Sequence, residues 1–446
     1  YGIPIKNSNQ IRKFSRNIDQ ILLAIPSLEK GKFRKIVSFL QSYDIPLMQV
    51  PSIDSITKGI AKIDSLVPIK IEDLLSRESV KPISKLMGPG IKDKVVCVTG
   101  AGGSIGSELC RQLIKLRPKK LILIDQSEFN LYQIINELNL NDLKKVELKS
   151  ILSNISNKNK LNNLFEYEKI NIVFHSAAYK HVPIVEKNPL TGILNNVIST
   201  KLICEVSLDT NVNTVLFVST DKAVRPTSVM GVSKRLAELV VQAYAEKIKI
   251  ENNNKLSKTN FSMVRFGNVL NSSGSVVPLF KKQILRGGPI TITHKDIIRY
   301  FMTVEEASTL LIQAALLAKG GDLFLLDMGA PVKIYDLAKK MIKLSGLKLK
   351  DQNNPDGDIE ISYTGLRKGE KLYEELLIDA ESMRTEHPLI YTANEKFLPP
   401  NILFPSIKKL EKVINDNNKE ETFKILKKLI PEWQKSSTKY IFVILK

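Results

Sequence analysis

Metal-binding and cross-linking residues are scarce in this chain. Cys97, Cys110 and Cys204 are its three cysteines in 446 residues, and none has CxxC or metal-ligand spacing. Reduced thiols in a cytoplasmic protein fit best. Four scattered histidines argue against a zinc site. No apolar run reaches the ~18 residues that a membrane helix needs, and no signal peptide is visible. Internal repeats and low-complexity tracts are absent. The net charge of +20 is large, yet the lysines are scattered. No long basic block occurs, nor any basic stripe interleaved with aromatics. Nucleic acid is set aside as a partner, and the charge is read as solvated lysine faces with a bias towards anionic ligands.

What is present centres on Thr99-Gly100-Ala101-Gly102-Gly103-Ser104-Ile105-Gly106. An apolar run, Val95–Val98, precedes it. A helical pattern of Leu109, Leu113, Ile114 and Leu116 follows. Strand, glycine turn and helix form the geometry that holds a dinucleotide pyrophosphate. Gly100 permits the tight turn, Gly103 lets the backbone approach the phosphates, and Gly106 lets helix and strand pack closely. The helix N-terminus offers N–H groups to the phosphates. A second strand, Leu121–Ile124, ends in Asp125, placed to reach an adenosine ribose diol. With Gln126-Ser127 next and no Arg adjoining, the expectation is NAD over NADP.

The length calls for more than one domain. The expected fold class is α/β, a Rossmann-type doubly wound parallel sheet with a smaller substrate-binding part and a partial N-terminal α/β domain. Residues 1–70 read as that partial domain. It shows a strand at Gln20–Pro26, a helix around Phe33–Leu40 and a strand at Leu47–Pro51. A linker follows at 71–90. Residues 91–389 form the catalytic domain, and 390–446 read as lysine-rich terminal helices. Within 91–389 further strands are expected at Val146–Ile151, Asn171–His175, Thr214–Ser219, Phe261–Phe266 and Leu323–Leu326. Helices are expected at Val304–Leu317 and Ile334–Leu344. Ala177 and Ala178 let a flat ring lie against the backbone at a strand end. Asn271–Pro289, rich in Ser, Gly and Pro, suits a substrate loop.

The chemistry is expected after the fifth strand, in Ser219-Thr220-Asp221-Lys222. Hydrogen-bonding and ionisable groups stand in a row where an open α/β sheet binds ligands. Eight residues on, a helix carries Met230 and Lys234 on one face, one turn apart.

These motifs make the chain similar to the extended short-chain dehydrogenase/reductase superfamily, whose helix usually carries Tyr-x-x-x-Lys. More narrowly it resembles the membrane-associated nucleotide-sugar 4,6-dehydratases of polysaccharide and glycan biosynthesis. The resemblance rests on residues 99–108, Ala-Ala-Tyr-Lys-His-Val-Pro (177–183), Ser-Thr-Asp-Lys-Ala (219–223), Arg-Phe-Gly-Asn-Val-Leu (265–270) and Gly-Leu-Arg-Lys-Gly-Glu-Lys-Leu-Tyr-Glu-Glu (365–375). It runs from about Ile69 to Leu376. Met230 in place of Tyr matches the branch acting on UDP-N-acetylglucosamine.

The resemblance implies oxidation at C4, removal of the C5 proton, loss of the C6 hydroxyl as water and reduction at C6, with NAD regenerated. Lys222 is implied as the C5 base and Asp221 as the C6 acid. Lys234 would hold the nicotinamide ribose, and Thr220 or Asp221, with Thr220 favoured, would relay the O4 proton that Met230 cannot take. Gly100, Gly103, Ser104, Ile105, Gly106, Asp125, Gln126, Ser127, Asn130, Asn154, Ile155, Ala177, Ala178 and Tyr179 would hold the cofactor. Relatives often have Asp where this chain has Asn154, whose carbonyl can still accept from an exocyclic amine. Lys180, Asn268, Ser273, Gly274, Ser275, Val276, Val277, Arg367 and Glu370 would line the UDP-sugar site, and cations there suit a diphosphate. The chain starts at Tyr1 in mid-pattern and reads as a fragment. The resemblance implies membrane helices and a first Rossmann-like domain upstream, the cytoplasmic face of the inner membrane for the whole protein, and a homo-oligomer.

Two other classes stay open. One is a 4-epimerase or a C5-inverting dehydratase on the same fold, although an epimerase has no need of the Asp-Lys pair. The other is a non-catalytic NAD-binding regulator or scaffold, which the Tyr-to-Met change would suit and the intact Thr-Asp-Lys does not.

Overall fold

The computed structural model describes residues 10–14, 18–25, 28–43, 45–50, 67–69, 71–75, 80, 82–140, 146–251, 259–377 and 381–433. The expected terminal helices beyond 433, linker residues 76–79 and 81, and Pro26 and Pro51 lie outside them. The chain divides into two compact units, each discontinuous in sequence. One is 1–80, 270–303 and 330–366; the other is 81–269, 304–329 and 367–446.

The larger unit is built on one nine-stranded sheet. Its strands are β1 (Val95–Thr99), β2 (Lys120–Asp125), β3 (Glu147–Leu152), β4 (Ile172–His175), β5 (Thr214–Val218), β6 (Asn260–Arg265), β7 (Leu323–Leu326), β8 (Ser382–Arg384) and β9 (Ile390–Ala393). The spatial order is β8-β9-β7-β6-β5-β4-β1-β2-β3. β1 to β7 run parallel, whereas β9 and β8 are antiparallel additions. Strand order reverses between β1 and β4, the switch point where a doubly wound sheet opens a crevice. All five residues of β1 are buried, as expected where helices cover both faces. α1 (Ser104–Lys115) packs on α4 (Val304–Leu317), and α3 (Val229–Glu251) packs on α5 (Pro400–Asn415). α2 (Glu128–Leu140) follows β2, and α6 (Lys419–Leu429) follows α5. Alternate strand residues Cys97, Ile122, Val173, Val215 and Phe261 share one core with Leu239, Val240, Leu403, Ile407 and Leu426 of α3, α5 and α6.

In the smaller unit, Ile21–Leu23 pairs in parallel with Leu47–Gln49 across the helix Lys30–Leu40. This is the strand–helix–strand pattern expected of the N-terminal part. Val37, Leu40, Leu47 and Ile69 close its core. A second parallel pair joins Ile290–Ile292 to Ile359–Tyr363.

Three expectations need correction. Residues 390–393 form β9, not the start of a helical terminus. The tetrapeptide is too short to carry a period, and a neighbouring strand supplies its pairing. The stretch 271–289 is not one loop, because Val276–Leu285 is helical. There Val277, Phe280 and Ile284 are buried at three- and four-residue spacing, a periodicity that outweighs the flanking glycines. The expected 71–90 linker is also partly ordered, into helices Ile71–Leu75 and Gly88–Ile91.

Under the C-terminal end of β5 lies a buried charge cluster. Arg265, at the end of β6, is fully buried. It grips Glu238 of α3 through two bonds of 2.7 and 2.6 Å. It also grips Glu395 through two of 2.7 and 2.8 Å. Arg235 reaches Glu238 at 3.1 Å, Glu395 at 3.2 Å and Glu432 at 3.2 Å. The two guanidinium groups hold Glu238 at a pKa of about 2 against the opposing effect of burial. Breaking a buried pair from one side costs ~3–5 kcal/mol, since the other charge is left behind. Arg265→Met should lower unfolding free energy by about that much in urea titration. A loss below ~1 kcal/mol would show that the cluster does not hold the fold together.

Candidate active site

The glycine turn is fixed by sterics. Gly100 has φ +67°, and a Cβ there would stand 2.8 Å from the backbone of Ala177. A Cβ at Gly106 would stand 2.0 Å from the Gly100 carbonyl oxygen, so only glycine lets α1 start this close to β1. Gly103 donates to that same oxygen at 3.0 Å. Gly102 was not singled out from the sequence, but a Cβ there would come within 2.5 Å of Asn130. α1 opens at Ser104 and Ile105 with no side-chain cap.

Asp125 ties the turn together. One carboxylate oxygen accepts from the Gly102 N–H and the other from the Ser127 N–H, both at 2.8 Å. Each oxygen keeps a further lone pair. The Asn130 N–H donates to Ser127 Oγ at 3.3 Å, and Gln126 Nε2 donates to the Tyr179 hydroxyl at 3.2 Å. Asn154 is exposed and its Oδ1 accepts from Ser156 Oγ at 2.7 Å. The carbonyl expected to take an exocyclic amine thus has an internal partner already. Ile155 is core.

Two polar residues that the sequence reading passed over brace this region. His175, at the end of β4, is buried. Its Nδ1 lies 2.7 Å from Thr99 Oγ1 and its Nε2 lies 3.0 Å from Thr200 Oγ1. Thr200 gives its own proton to the Asn196 carbonyl at 2.7 Å, so His175 must donate from Nε2 and accept at Nδ1. Burial, with Lys234 nearby, lowers its pKa to about 3, and the ring stays neutral. Asn196 sits in a π-helical turn, Leu194–Ile198, a distortion common at functional sites. Its amide accepts from the Tyr179 N–H at 2.8 Å and donates to the Tyr179 carbonyl at 3.0 Å and to Ser233 Oγ at 2.9 Å. The Ala177-Ala178-Tyr179 backbone is thereby moored to α3, between Met230 and Lys234.

Past β5 the expected groups converge. Thr220 Oγ1 donates to Asp221 Oδ1 at 2.8 Å, and Lys222 Nζ donates to the same oxygen at 2.8 Å. Lys222 Nζ also reaches Asn268 Oδ1 at 3.0 Å. Asp221 is buried, and its Oδ2 has no hydrogen-bond partner among the described residues. That oxygen keeps its lone pairs for a donor on a ligand. Ser219 Oγ donates to Glu238 at 2.6 Å, which ties this loop to the charge cluster. Gly231 is forced, since a Cβ would stand 2.3 Å from the Lys222 carbonyl. Met230 is buried in the apolar core. Lys234 is buried, donates to the Val218 carbonyl at 2.7 Å and lies 3.9 Å over the Phe217 ring. Burial lowers its pKa to about 7, with Glu238 pulling the other way.

The expected substrate residues divide between the units. Lys180, Asn268, Arg367 and Glu370 belong to the larger, and Ser273, Gly274, Ser275, Val276 and Val277 to the smaller. Lys180 is exposed. Glu370 accepts from the Arg367 N–H at 3.1 Å. Ser273 and Gly274 lead into the helix Val276–Leu285, for which Ser275 is the capping position, and Val277 is buried. Among the described residues no cluster of His, Cys, Asp or Glu could hold a metal ion. Nor is any helix there long and apolar enough to cross a membrane.

A family model described as polysaccharide biosynthesis protein matches residues 96–395. Over 367 residues the chain is 43% identical to the capsular polysaccharide biosynthesis protein CapD of Staphylococcus aureus, covering 82% of this chain and 58% of that one. The chain thus spans little more than half the length of that relative. Among solved structures it resembles Pen from Bacillus thuringiensis, with a TM-score of 0.58 and 30% identity over 72% of this chain and 99% of that one. The dTDP-glucose 4,6-dehydratase DesIV from Streptomyces venezuelae, solved with NAD and TYD bound, has a TM-score of 0.52 at 19% identity. It covers 62% of this chain and 86% of that one, and shows the shared fold.

The lowered Lys234 pKa has a measurable sign. Between about 7 and the ordinary lysine value of 10.5 the unfolded chain binds the proton that the folded one lacks, so stability rises with pH across that window. Lys234→Met lacks this contribution. Denaturant unfolding at pH 6 and pH 9 should show the variant losing ground to the parent as pH rises. Parallel shifts in both proteins would mean that Lys234 titrates normally.

Proposed function

The chain belongs to the polysaccharide biosynthesis protein family, and from that premise we propose that it is an NAD-dependent UDP-N-acetylglucosamine 4,6-dehydratase. One observation carries the reading: Thr220 and Lys222 meet on one oxygen of Asp221 while the other oxygen is buried and has no hydrogen-bond partner among the described residues. A 4-epimerase needs no acid/base pair for elimination, and a non-catalytic scaffold has no use for a buried, half-satisfied carboxylate.

The residues suit NAD. The Gly100–Gly106 turn leaves no room for a Cβ where helix meets strand, and the α1 N-terminus has no side-chain cap to displace. Asp125 keeps lone pairs for a ribose diol and would repel a 2′-phosphate. Ala177, Ala178 and Lys234 would border the nicotinamide end. When bound, NAD supplies the hydride acceptor for C4 and the hydride donor for C6.

The protein's own groups move protons. Thr220 Oγ1, bonded to Asp221, relays the O4 proton as C4 is oxidised. The resulting ketone acidifies the C5 hydrogen. Lys222 acts as the neutral amine beside Asp221, 2.8 Å away, which holds the O4 proton that Thr220 relays; the amine accepts the C5 proton and returns it to C5 as C6 is reduced. Asp221 then gives its proton to the departing C6 hydroxyl, which leaves as water. Met230 has no ionisable group and only shapes the site. Arg367 and Lys180 offer cations to the diphosphate.

Incubation with UDP-N-acetylglucosamine and NMR of the product tests this. The 4-keto-6-deoxy sugar is expected, with C5 configuration read in the same spectrum. A C4 epimer or unchanged substrate would sink the reading, and a C5-inverted 4-keto-6-deoxy product would assign the inverting alternative. Lys222→Ala should keep UDP-sugar affinity while turnover falls ~10²–10⁴-fold.

Met230→Leu conserves volume, and such swaps usually cost under ~1.5 kcal/mol, so much of the activity should survive. Thr220→Val keeps shape but removes the hydroxyl, and should slow oxidation at C4 in single-turnover absorbance. Should Thr220→Val oxidise C4 at the parental rate while Met230→Leu does not, the relay runs elsewhere.

A further inference from the structure

Glu374 stands outside the acid/base pair, yet it is brought to it. Its side chain is 4% exposed, and Oε1 lies 3.9 Å from Lys222 Nζ. Burying a carboxylate costs several kcal/mol unless cations or donors compensate, and the Lys222 ammonium is one such cation.

The segment that delivers it is fastened to the catalytic loop at several points. Thr227 Oγ1 donates to the Gly369 carbonyl at 2.8 Å. Lys371 Nζ donates to the Val224 carbonyl at 2.8 Å. Arg225 Nη1 donates to Glu375 at 2.9 Å. Gly369 has φ +78°, and a Cβ there would press within 2.8 Å of Ser228. Arg225 has φ +37°, a conformation that disfavours any side chain and persists only where its surroundings impose it. Such fastening fixes residues 369–375 against residues 224–228, and Glu374 with them.

We propose that Glu374 is a positioning residue for the elimination step, fixing Lys222 Nζ together with Asp221 and Asn268. This rests on the dehydratase reading. A lysine amine on a four-carbon stem is mobile; a carboxylate 3.9 Å away adds an ion-pair restraint to the hydrogen bonds that Asp221 and Asn268 accept. In the step itself the C5–H bond breaks and its electron pair becomes the C5–C6 double bond. The C6–O bond breaks, the C5 proton goes to Lys222 Nζ, and the Asp221 proton leaves with the hydroxyl as water. The amine therefore ends as an ammonium between Asp221 and Glu374, two carboxylates already in place where its charge develops. A misplacement of 1 Å in such a site can cost ~10²-fold in rate.

Single-turnover kinetics separate the steps, with absorbance following C4 oxidation and mass spectrometry following water loss. In Glu374→Ala, oxidation should proceed within about two-fold of the parent while water loss slows ~10²-fold, with KM unchanged. Glu374→Gln keeps an oxygen for Nζ and should fall between, and it decides the matter if the alanine variant does not fold. Water loss at the parental rate overturns the proposal. So does an equal fall in both steps, which would assign Glu374 to the framework alone. Failure of the dehydratase reading would appear instead in the parent protein, as absence of 4-keto-6-deoxy product, and would take this proposal with it.

Discussion

Arg265 is the residue on which the rest of the site leans. Its guanidinium, buried and bonded to Glu238 and Glu395, joins β6, α3 and the segment after β9. Glu238 in turn accepts from Ser219, the residue before Thr220. The catalytic loop is thus anchored through one hydroxyl to a charge cluster whose members come from positions 235, 238, 265, 395 and 432. Desolvating these ions is costly, and their geometry repays it only when every member is present. Glu395 and Glu432 flank the C-terminal helices α5 and α6, so the same cluster ties the ends of that segment to β6 and α3.

A second constraint acts at the switch point. β1 and β4 diverge there, and the glycine turn, the α1 N-terminus and the Ala177–Tyr179 backbone must share one small space. Glycine removes Cβ atoms, while Asp125 and Asn196 supply the hydrogen bonds that a loop without side chains lacks. The neutral His175, fixed in one tautomer by Thr99 and Thr200, holds the two strand ends in register from below. Packing and polar satisfaction point to the same geometry.

The parallel sheet was legible in sequence because each of its strands is a short apolar run next to a helical period. The bounds of β1 to β7 fall within about a residue or two of expectation, and the helices at 304–317 and 334–344 coincide with it. The glycine turn and Thr220-Asp221-Lys222 were legible for a different reason: their chemistry is local in the chain. What escaped is non-local. β8 and β9 are too short to show a period and owe their conformation to a neighbour. The helix Val276–Leu285 hid between Ser-, Gly- and Pro-rich flanks. Asn196 looks like any helix asparagine until Tyr179 is folded against it. The ion cluster spans nearly two hundred residues of chain, and no spacing rule connects its members. Glu374 lay inside a quoted motif, but its meaning depends on Lys222, roughly 150 positions away.

The two lysines of the site show why their surroundings, not their residue type, set their roles. Lys234 is buried with one carbonyl and one aromatic face as partners. Loss of water dominates there, and its proton is held weakly. Lys222 lies among Asp221, Asn268 and Glu374, two of which are anions. A tyrosine at position 230 would add a second ionisable group beside Lys234. Methionine adds none, which leaves proton traffic to the Thr220-Asp221-Lys222 row and lets α3 keep its apolar face. On the proposed reading the Tyr-to-Met change is compatible with activity. The proposed proton transfer then lies in the loop, the element fastened both to the Arg265 cluster and to the 369–375 segment.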